Sequence, residues 1–354
     1  MKRSTCFLQS LRSIVLLPTA VCTAALYLSG CGGGEGGGDA GPSLPGEQVG
    51  KFWVVNTLTD EADRAVAKKN AENTLVKYPE VDGMVGLWAY NVPMCLEALK
   101  DAGKVGEIKL FSFDEDEVSL QGIVDGSVEG TVVQQPYEFG YQSIKYLNLI
   151  ADGKDGEIPV PENKLIDVPV KTITSENVEA HWTNLKQLRA LGDEAAKAPK
   201  TPTEKRFAFI TNVVDPFWSY AAAGCAKAEA DFGVSVDFQS PPNGKVDEQN
   251  KILENVAAGE YTGVAISVLD PKNQTQLINE TAGKMPLICH DSDAPESDRR
   301  FYLGTNNFEA GKRLGELIKS RMPEGGTLMI YVGKIDQLNA QQRRDGVLAS
   351  LRGE

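Results

Sequence analysis

Arg206-Phe207-Ala208-Phe209-Ile210-Thr211 runs straight into Asn212-Val213-Val214-Asp215-Pro216-Phe217-Trp218. The first six residues form a nearly continuous apolar run, the pattern of a strand covered on both faces. Asp215-Pro216 then reads as a helix start: an Asp that can cap free N–H groups and a proline suited to the first helical position. Beyond it Trp218, Ala221, Cys225, Ala228 and Phe232 fall on one helical face, and Gly233 supplies the stop. Strand, capped turn and amphipathic helix make one βα unit.

The same unit recurs outward in both directions. Candidate strands are Phe52 to Asn56, Met84 to Trp88, Ile108 to Phe113 and Gly130 to Gln134, then Val234 to Phe238, Val264 to Val268, Pro286 to His290 and Thr327 to Val332. Helical faces lie between them: Ala67, Ala71, Leu75 and Tyr78; Cys95, Ala98, Leu99 and Ala102; Ala310, Leu314, Leu317 and Ile318. Leu269-Asp270-Pro271 repeats the capped start, and for Asp270 capping is a sufficient reading. Repeated βα units imply parallel, doubly wound sheets. A chain of 354 residues is too long for one ordinary core, so the fold class expected is α/β with two sheets in two domains.

Composition narrows the functional classes. A net charge of -13 argues against a nucleic-acid partner, which needs clustered Lys and Arg. The two histidines, His181 and His290, share no metal-binding spacing, so no metal and no cofactor is expected. No GxxxxGK[ST] loop and no GxSxG elbow occurs. His290 beside Asp291 is the one candidate base, and His181 reads as surface or packing. The acidic run Asp114 to Glu117 lacks the glycine and terminal Glu of a calcium loop, and beyond Asp114 it reads as a solvated face. No catalytic residue is expected.

Residues 1–30 read as an export signal. Lys2, Arg3 and Arg12 precede an uncharged apolar run from Ser13 to Leu28. Leu28-Ser29-Gly30-Cys31 resembles the lipobox of bacterial lipoproteins, which implies a lipid anchor on Cys31 at the cell membrane, facing the periplasm or cell exterior. Residues 31–50 read as a Gly-rich tether that would reach about 25 Å as a flexible coil. Its Gly32-x-Gly34-x-x-Gly37 has no strand before it and no helix after it, so it is no dinucleotide fingerprint. Cys95, Cys225 and Cys289 sit among apolar neighbours without CxxC pairing; buried thiols are expected, with a single disulfide as the alternative.

Open α/β sheets bind ligands beyond the carboxyl ends of their strands. Asp215, Phe217 and Trp218 lie at such an edge. Trp88 and Asn91 follow another strand, Asp114 closes Leu110-Phe111-Ser112-Phe113, Gln134 ends Thr131-Val132-Val133, and Asp291 follows Leu287-Ile288-Cys289-His290. Carboxylates accept sugar hydroxyls, aromatic faces take the apolar face of a ring, and Arg343 adds a fixed fork of donors. That inventory suits a polyol. Core packing is the alternative for Phe217 and Trp218.

The stretch from Lys205 to Arg344 resembles the first part of a type I periplasmic sugar-binding protein of the ribose-binding kind. The motifs are Ile210 to Trp218, Asp291-Ser292-Asp293-Ala294-Pro295, Leu303-Gly304-Thr305-Asn306-Asn307 and Asn339-Ala340-Gln341-Gln342-Arg343. The stretch from Lys51 to Asp152 is similar to the second part, through Asp60-Glu61-Ala62-Asp63-Arg64, Leu87-Trp88-Ala89-Tyr90-Asn91, Phe113-Asp114 and Val133-Gln134-Gln135-Pro136. The halves stand in reversed order, as in a circular permutant. The resemblance implies two parallel-sheet lobes joined by a hinge, closing on a monosaccharide (a pentose or hexose). It assigns Asp215, Phe217, Trp218 and Asp291 to one lobe, and Arg343, Trp88, Asp114 and Gln134 to the other lobe or the hinge. Ser292 stands where the ribose-binding pattern has Arg, and Ala62 where it has an aromatic, which puts ribose itself in doubt.

It further implies a monomer serving an ABC permease in the membrane, with a sugar sensor for a membrane receptor or kinase as the alternative. The expected lobes are 51–134 plus 307–354 with about 170–190, and 135–169 plus 205–306. Residues 193–204 form the expected linker. The resemblance places lobe crossings near Gly304 to Asn307, near Gln134 to Tyr137 and between Asp167 and Lys171. A permuted order requires Phe52 to Asn56 to share a sheet with Thr327 to Val332.

Overall fold

The computed structural model describes residues 44–198 and 203–354. The expected signal and Cys31 lie outside the described residues. From its start the chain forms a hairpin of β1 (Glu47–Val49) and β2 (Phe52–Thr59), then α1 (Arg64–Lys77), β3 (Gly83–Gly86), α2 (Asn91–Asp101), β4 (Lys109–Phe113), α3 (Glu117–Asp125) and β5 (Gly130–Val133). α4 (Pro136–Ala151) and β6 (Leu165–Asp167) follow, then β7 (Lys171–Ile173) and α5 (Val178–Ala195). Next come β8 (Arg206–Ile210), α6 (Phe217–Phe232), β9 (Ser235–Gln239), α7 (Val246–Ala258), β10 (Gly263–Ile266), α8 (Pro271–Ala282), β11 (Leu287–His290) and β12 (Tyr302–Gly304). The last elements are α9 (Asn307–Arg321), β13 (Gly326–Val332) and α10 (Leu338–Arg352).

These strands make two sheets. The first has the order β1-β2-β13-β3-β4-β5-β7, and the second β6-β12-β11-β10-β8-β9. The second is parallel throughout, and in the first only the edge strands β1 and β7 run antiparallel to their neighbours. Two neighbouring strands of the first sheet are distant in the chain: β2 pairs with β13 from Phe52–Gly326 to Thr59–Val332. The fold is α/β with two parallel-sheet lobes.

Each sheet is covered on both faces, which explains the unbroken apolar runs. Along β13, Leu328, Ile330 and Val332 enter one core while Met329 and Tyr331 enter the other. Along β8, Phe207 and Phe209 face one layer of helices, and Ala208 and Ile210 the opposite layer. Strand side chains alternate faces, so only a strand buried on both sides needs apolar residues at every position. The chain passes between the sheets four times: after Gln134, after Asp167, between β7 and β8 by way of α5, and after Gly304. At these crossings the Asp167 carboxylate accepts from Asn306 N at 2.8 Å, and Val168 N donates to Gly304 O at 2.9 Å.

α5 belongs to both lobes. Val178 and Leu185 are buried in a core of the first sheet. Further along, a Cβ on Gly192 would lie 1.7 Å from Ser219 O on α6, and Asp193 Oδ1 accepts from Ser219 Oγ at 2.6 Å.

Three expectations need correction. The tether does not extend to residue 50: Glu47, Gln48 and Val49 pair with β2, and Val49 is fully buried. A three-residue strand carries too little alternation to show beside a Gly-rich stretch. The expected linker 193–204 begins inside α5, whose polar outer face hid its continuation to Ala195. The acidic run is a solvated face only at Glu117, because the Glu115 side chain is buried against His181 at 3.3 Å and Asp116 caps α3 by accepting from Val118 N. Asp270 caps α8 as its Pro271 suggests, accepting from Asn273 N at 3.1 Å. Cys95, Cys225 and Cys289 are buried and form no disulfide.

Candidate ligand-binding site

A cavity of about 780 Å³ opens between strand ends of the two sheets. Asp114 follows β4 directly and Asp291 follows β11 directly, each with a left-handed backbone, φ +58° and +54°. Asp tolerates this region better than most residues. In each case the turn points a carboxyl off the strand end toward the cavity it lines.

Asp114 is held by Gln134, whose Nε2 donates to its two carboxylate oxygens at 3.2 and 3.1 Å. Arg343 Nη1 stands 3.6 Å from the same carboxylate. Asp291 accepts from Ser267 Oγ at 2.8 Å and from Asn212 Nδ2 at 3.3 Å. Burial raises both acids above the usual carboxylate range, Asp291 to about 6. The Arg343 guanidinium opposes that shift in both, while a neighbouring negative charge adds to it, Asp114 for Asp291 and Asp215 for Asp114.

Arg343 is buried, with its side chain 5 % exposed. Nε donates to Asn307 Oδ1 at 2.9 Å, Nη1 donates to Leu87 O at 3.1 Å, and the guanidinium lies 3.9 Å from the Phe113 ring centroid. Its position on α10 is set by a close helix crossing: a Cβ on Gly311 of α9 would lie 2.1 Å from Arg343 O. The planar fork therefore reaches the cavity with little freedom left.

The aromatics divide. Trp88 lines the cavity, its N–H group from the backbone bonded to Asn91 Oδ1 at 2.9 Å and its ring edge-to-face with Tyr90. Phe217 is half-buried at the wall and packs on Phe139. Trp218 does both jobs: it lines the cavity, yet is 4 % exposed, packs on Phe209 and donates Nε1–H to Asn212 Oδ1 at 3.2 Å. The core-packing alternative thus holds for most of the Trp218 ring.

Asp215 lines the rim but is exposed, and its Oδ1 accepts from Phe217 N at 2.8 Å, so one oxygen is committed to starting α6. Asn91 is a correction. It is fully buried, bonded to Trp88 N and to Asp60, and does not line the cavity. Both its polar ends are used inside the lobe, as a residue opening α2 beneath a turn would be. His290 is likewise out of reach: it is buried, stacked 4.1 Å from Phe209, and burial pushes its pKa down to about 3.

The cavity also has residues that the sequence reading passed over. Asn212 and Asn339 stand at strand-end and helix-start positions inside motifs already noted, so position alone could have flagged them. Trp182, Leu185, Lys186 and Arg189 come from α5, and no strand-end rule points there. Among the described residues no group of three His, Cys, Asp or Glu could hold a metal ion. Among them, too, no helix is long and apolar enough to cross a membrane.

A family model described as periplasmic binding protein domain matches residues 45–155 and 207–354. The chain belongs to this family. The two matched segments meet the two sheets around the cavity, and the periplasmic binding protein fold here is the type I form. Among solved structures, the chain is similar to a sugar-binding protein of a sugar ABC transporter from Bacillus halodurans, at 27% identity over 43% of this chain and 52% of that one, TM-score 0.41. It is similar to an arabinose binding protein from Geobacillus stearothermophilus, at 28% identity over 42% and 52%, TM-score 0.40. A glucose-galactose binding protein from the same organism matches at 26% identity over 43% and 55%, TM-score 0.39. The chain spans about half the length of the solved structures it matches. No curated protein matches it.

Proposed function

We propose that this periplasmic binding protein is the solute-binding component of an ABC-type sugar importer. It holds one monosaccharide, a pentose or hexose, between its lobes and performs no chemistry on it. The observation that carries this reading is the convergence of Asp114, Asp291 and Arg343 with Trp88 and Phe217 on one cavity. Sugar hydroxyls donate to the two carboxylates, Arg343 donates to a ring or hydroxyl oxygen, and the aromatic faces cover the C–H surface. Gln134, Trp218 and Asp215 frame that constellation. Hinged closure at the crossings near Gln134, Asp167 and Gly304 would bury the sugar, and the closed form would dock on the permease.

Export with a lipid on Cys31 fits the charged, apolar and lipobox-like start of the sequence. The lobes are also proposed to stand in permuted chain order: 205–354 supplies what the family places first, and 51–192 what it places second. Support comes from the β2–β13 pairing and from Gly50, where a Cβ would lie 2.2 Å from Leu351 O, so the two segment ends adjoin.

A thermal-shift screen against pentoses, hexoses and inositols tests the binding reading. A ligand at 100 times its Kd stabilises by about 2.7 kcal/mol, a shift easily measured. Stabilisation by one or a few sugars is expected. No shift with any sugar, alongside a clear shift with an amino acid or a peptide, would overturn the reading.

A further inference from the structure

The two cavity acids share more than a place after a strand. The positive φ of each turns its carbonyl out of the sheet's ladder, and in each lobe a hydroxyl from the neighbouring strand meets that carbonyl. Thr131 Oγ1 donates to Asp114 O at 2.8 Å, and Tyr302 Oη donates to Asp291 O at 2.8 Å. The register is the same in both sheets. Asp114 N donates to Val132 O on β5 and Asp291 N to Leu303 O on β12, and the hydroxyl comes from the residue just before that acceptor. Thr131 pairs with Ser112 and Tyr302 with Cys289, each the last but one residue of the strand that leads into the acid.

A left-handed backbone is uncommon for a residue with a side chain and persists where its surroundings over-determine it. At Asp291 the turn is tighter still: Ser292 N donates back to His290 O across it, the rarer, positive-φ kind of γ-turn. The two hydroxyls are well placed to hold such turns. Thr131 is fully buried and Tyr302 is 4 % exposed, so neither has solvent to turn to. Gly304 leaves the room that the end of the phenol fills, since a Cβ there would lie 2.2 Å from Tyr302 Oη. Without its hydroxyl each carbonyl is short of a partner, and the peptide that carries it can find another only by rotating, which swings the carboxyl of the same residue.

We propose that Thr131 and Tyr302 are positioning residues of the ligand site, one for each lobe. Neither lines the cavity; each hydroxyl locks the backbone of an acid so that its carboxyl points into it. This rests on Asp114 and Asp291 being the ligand's acceptors, but the orientation of the acids is read without ligand, so the two ideas can fail separately.

Tyr302→Phe and Thr131→Val each delete a hydroxyl and keep the shape, while Thr131→Ser keeps the hydroxyl and deletes a methyl. Crystal structures of the ligand-free full chain should show the Asp291 carboxyl displaced in Tyr302→Phe by more than about 0.5 Å, the tolerance of a positioned group, with Asp114 in place. Thr131→Val should show the converse, and Thr131→Ser neither shift. Calorimetry with the sugar that stabilises the protein in the screen should give about fivefold to tenfold weaker binding for the two deletions, the scale of one hydrogen bond. Thr131→Ser should bind as wild type does; a packing role alone would reverse the order of Thr131→Val and Thr131→Ser. If Tyr302→Phe fails to fold, the two Thr131 variants decide. Acids that stay in place in the folded deletion variants overturn the proposal, and so does a Thr131→Ser that behaves like Thr131→Val. Acids that move while affinity holds leave the positioning intact and overturn the sugar reading instead.

Discussion

Asp114 and Asp291 are counterparts across the cleft: each is the first residue after a parallel strand, each has a left-handed backbone, and each belongs to a different sheet. Their charges interact, since Asp114 raises the pKa of Asp291 while Arg343 lowers it. Two acids and one buried guanidinium leave a net negative floor, suited to neutral ligands that donate hydrogen bonds. Asp114→Asn and Asp291→Asn should each weaken binding of the sugar found in the screen by about 2 to 4 kcal/mol, the scale of charged hydrogen bonds with their desolvation. Calorimetry giving near wild-type affinity for both variants would sink the assignment.

The raised pKa of Asp291 has a signed consequence for stability. Its folded value of about 6 exceeds the ordinary 3.8, so the protonated form is favoured on folding. That contribution is whole below about pH 4 and is lost as pH rises through about 6. Relative to Asp291→Asn, the wild type should therefore lose stability between those limits and level off above them. Urea denaturation of both proteins from pH 4 to 8 checks this, and a pH-independent difference refutes it.

Arg343→Lys keeps the charge but cannot serve Asn307, Leu87 O and the Phe113 face at once. The variant should melt at a lower temperature and bind the sugar at least about tenfold more weakly, 1.4 kcal/mol or more. Equal affinity and equal melting temperature would show the fork to be dispensable.

Asp215→Ala should act chiefly on α6. Losing the bond to Phe217 N should cost about 1 kcal/mol of stability, with a smaller effect on affinity than either Asp114→Asn or Asp291→Asn. A larger affinity loss than theirs would restore Asp215 to the centre of the site.

Chain order can be tested by rearrangement. A chain carrying 205–354 ahead of 47–195, joined by a short loop in place of the Leu351–Gly50 contact, should fold and bind the same sugar, because every strand pairing and the packing of α5 survive. Failure of that chain to fold cooperatively, beside a wild type that does, would count against the permuted reading.

Much of the fold could be read from the sequence, for an identifiable reason. Strands such as Phe207 to Ile210 and Leu328 to Val332 are buried on both faces, so every residue is apolar and the run announces itself. The strands β1, β6, β7 and β12 went unread as elements because three residues hold no period. In the site, Asp114, Gln134 and Asp291 were legible because a polar residue closing an apolar run must face the sheet's edge. Asn91 satisfied the same rule and yet turned inward, because its partner Asp60 is contributed by another strand's end. Trp182 and Lys186 were invisible for the opposite reason: their place in the cavity depends on where a whole helix docks, and nothing local encodes that.

The crossing of α9 and α10 at Gly311 links a position outside the cavity to the ligand's neighbourhood. With a Cβ only 2.1 Å from Arg343 O, even Ala would have to displace α10 and carry the guanidinium with it. Ligand preference at the proposed site is therefore exposed to drift at a residue outside the cavity lining, and a methyl group there would retune the cleft as surely as a change in that lining.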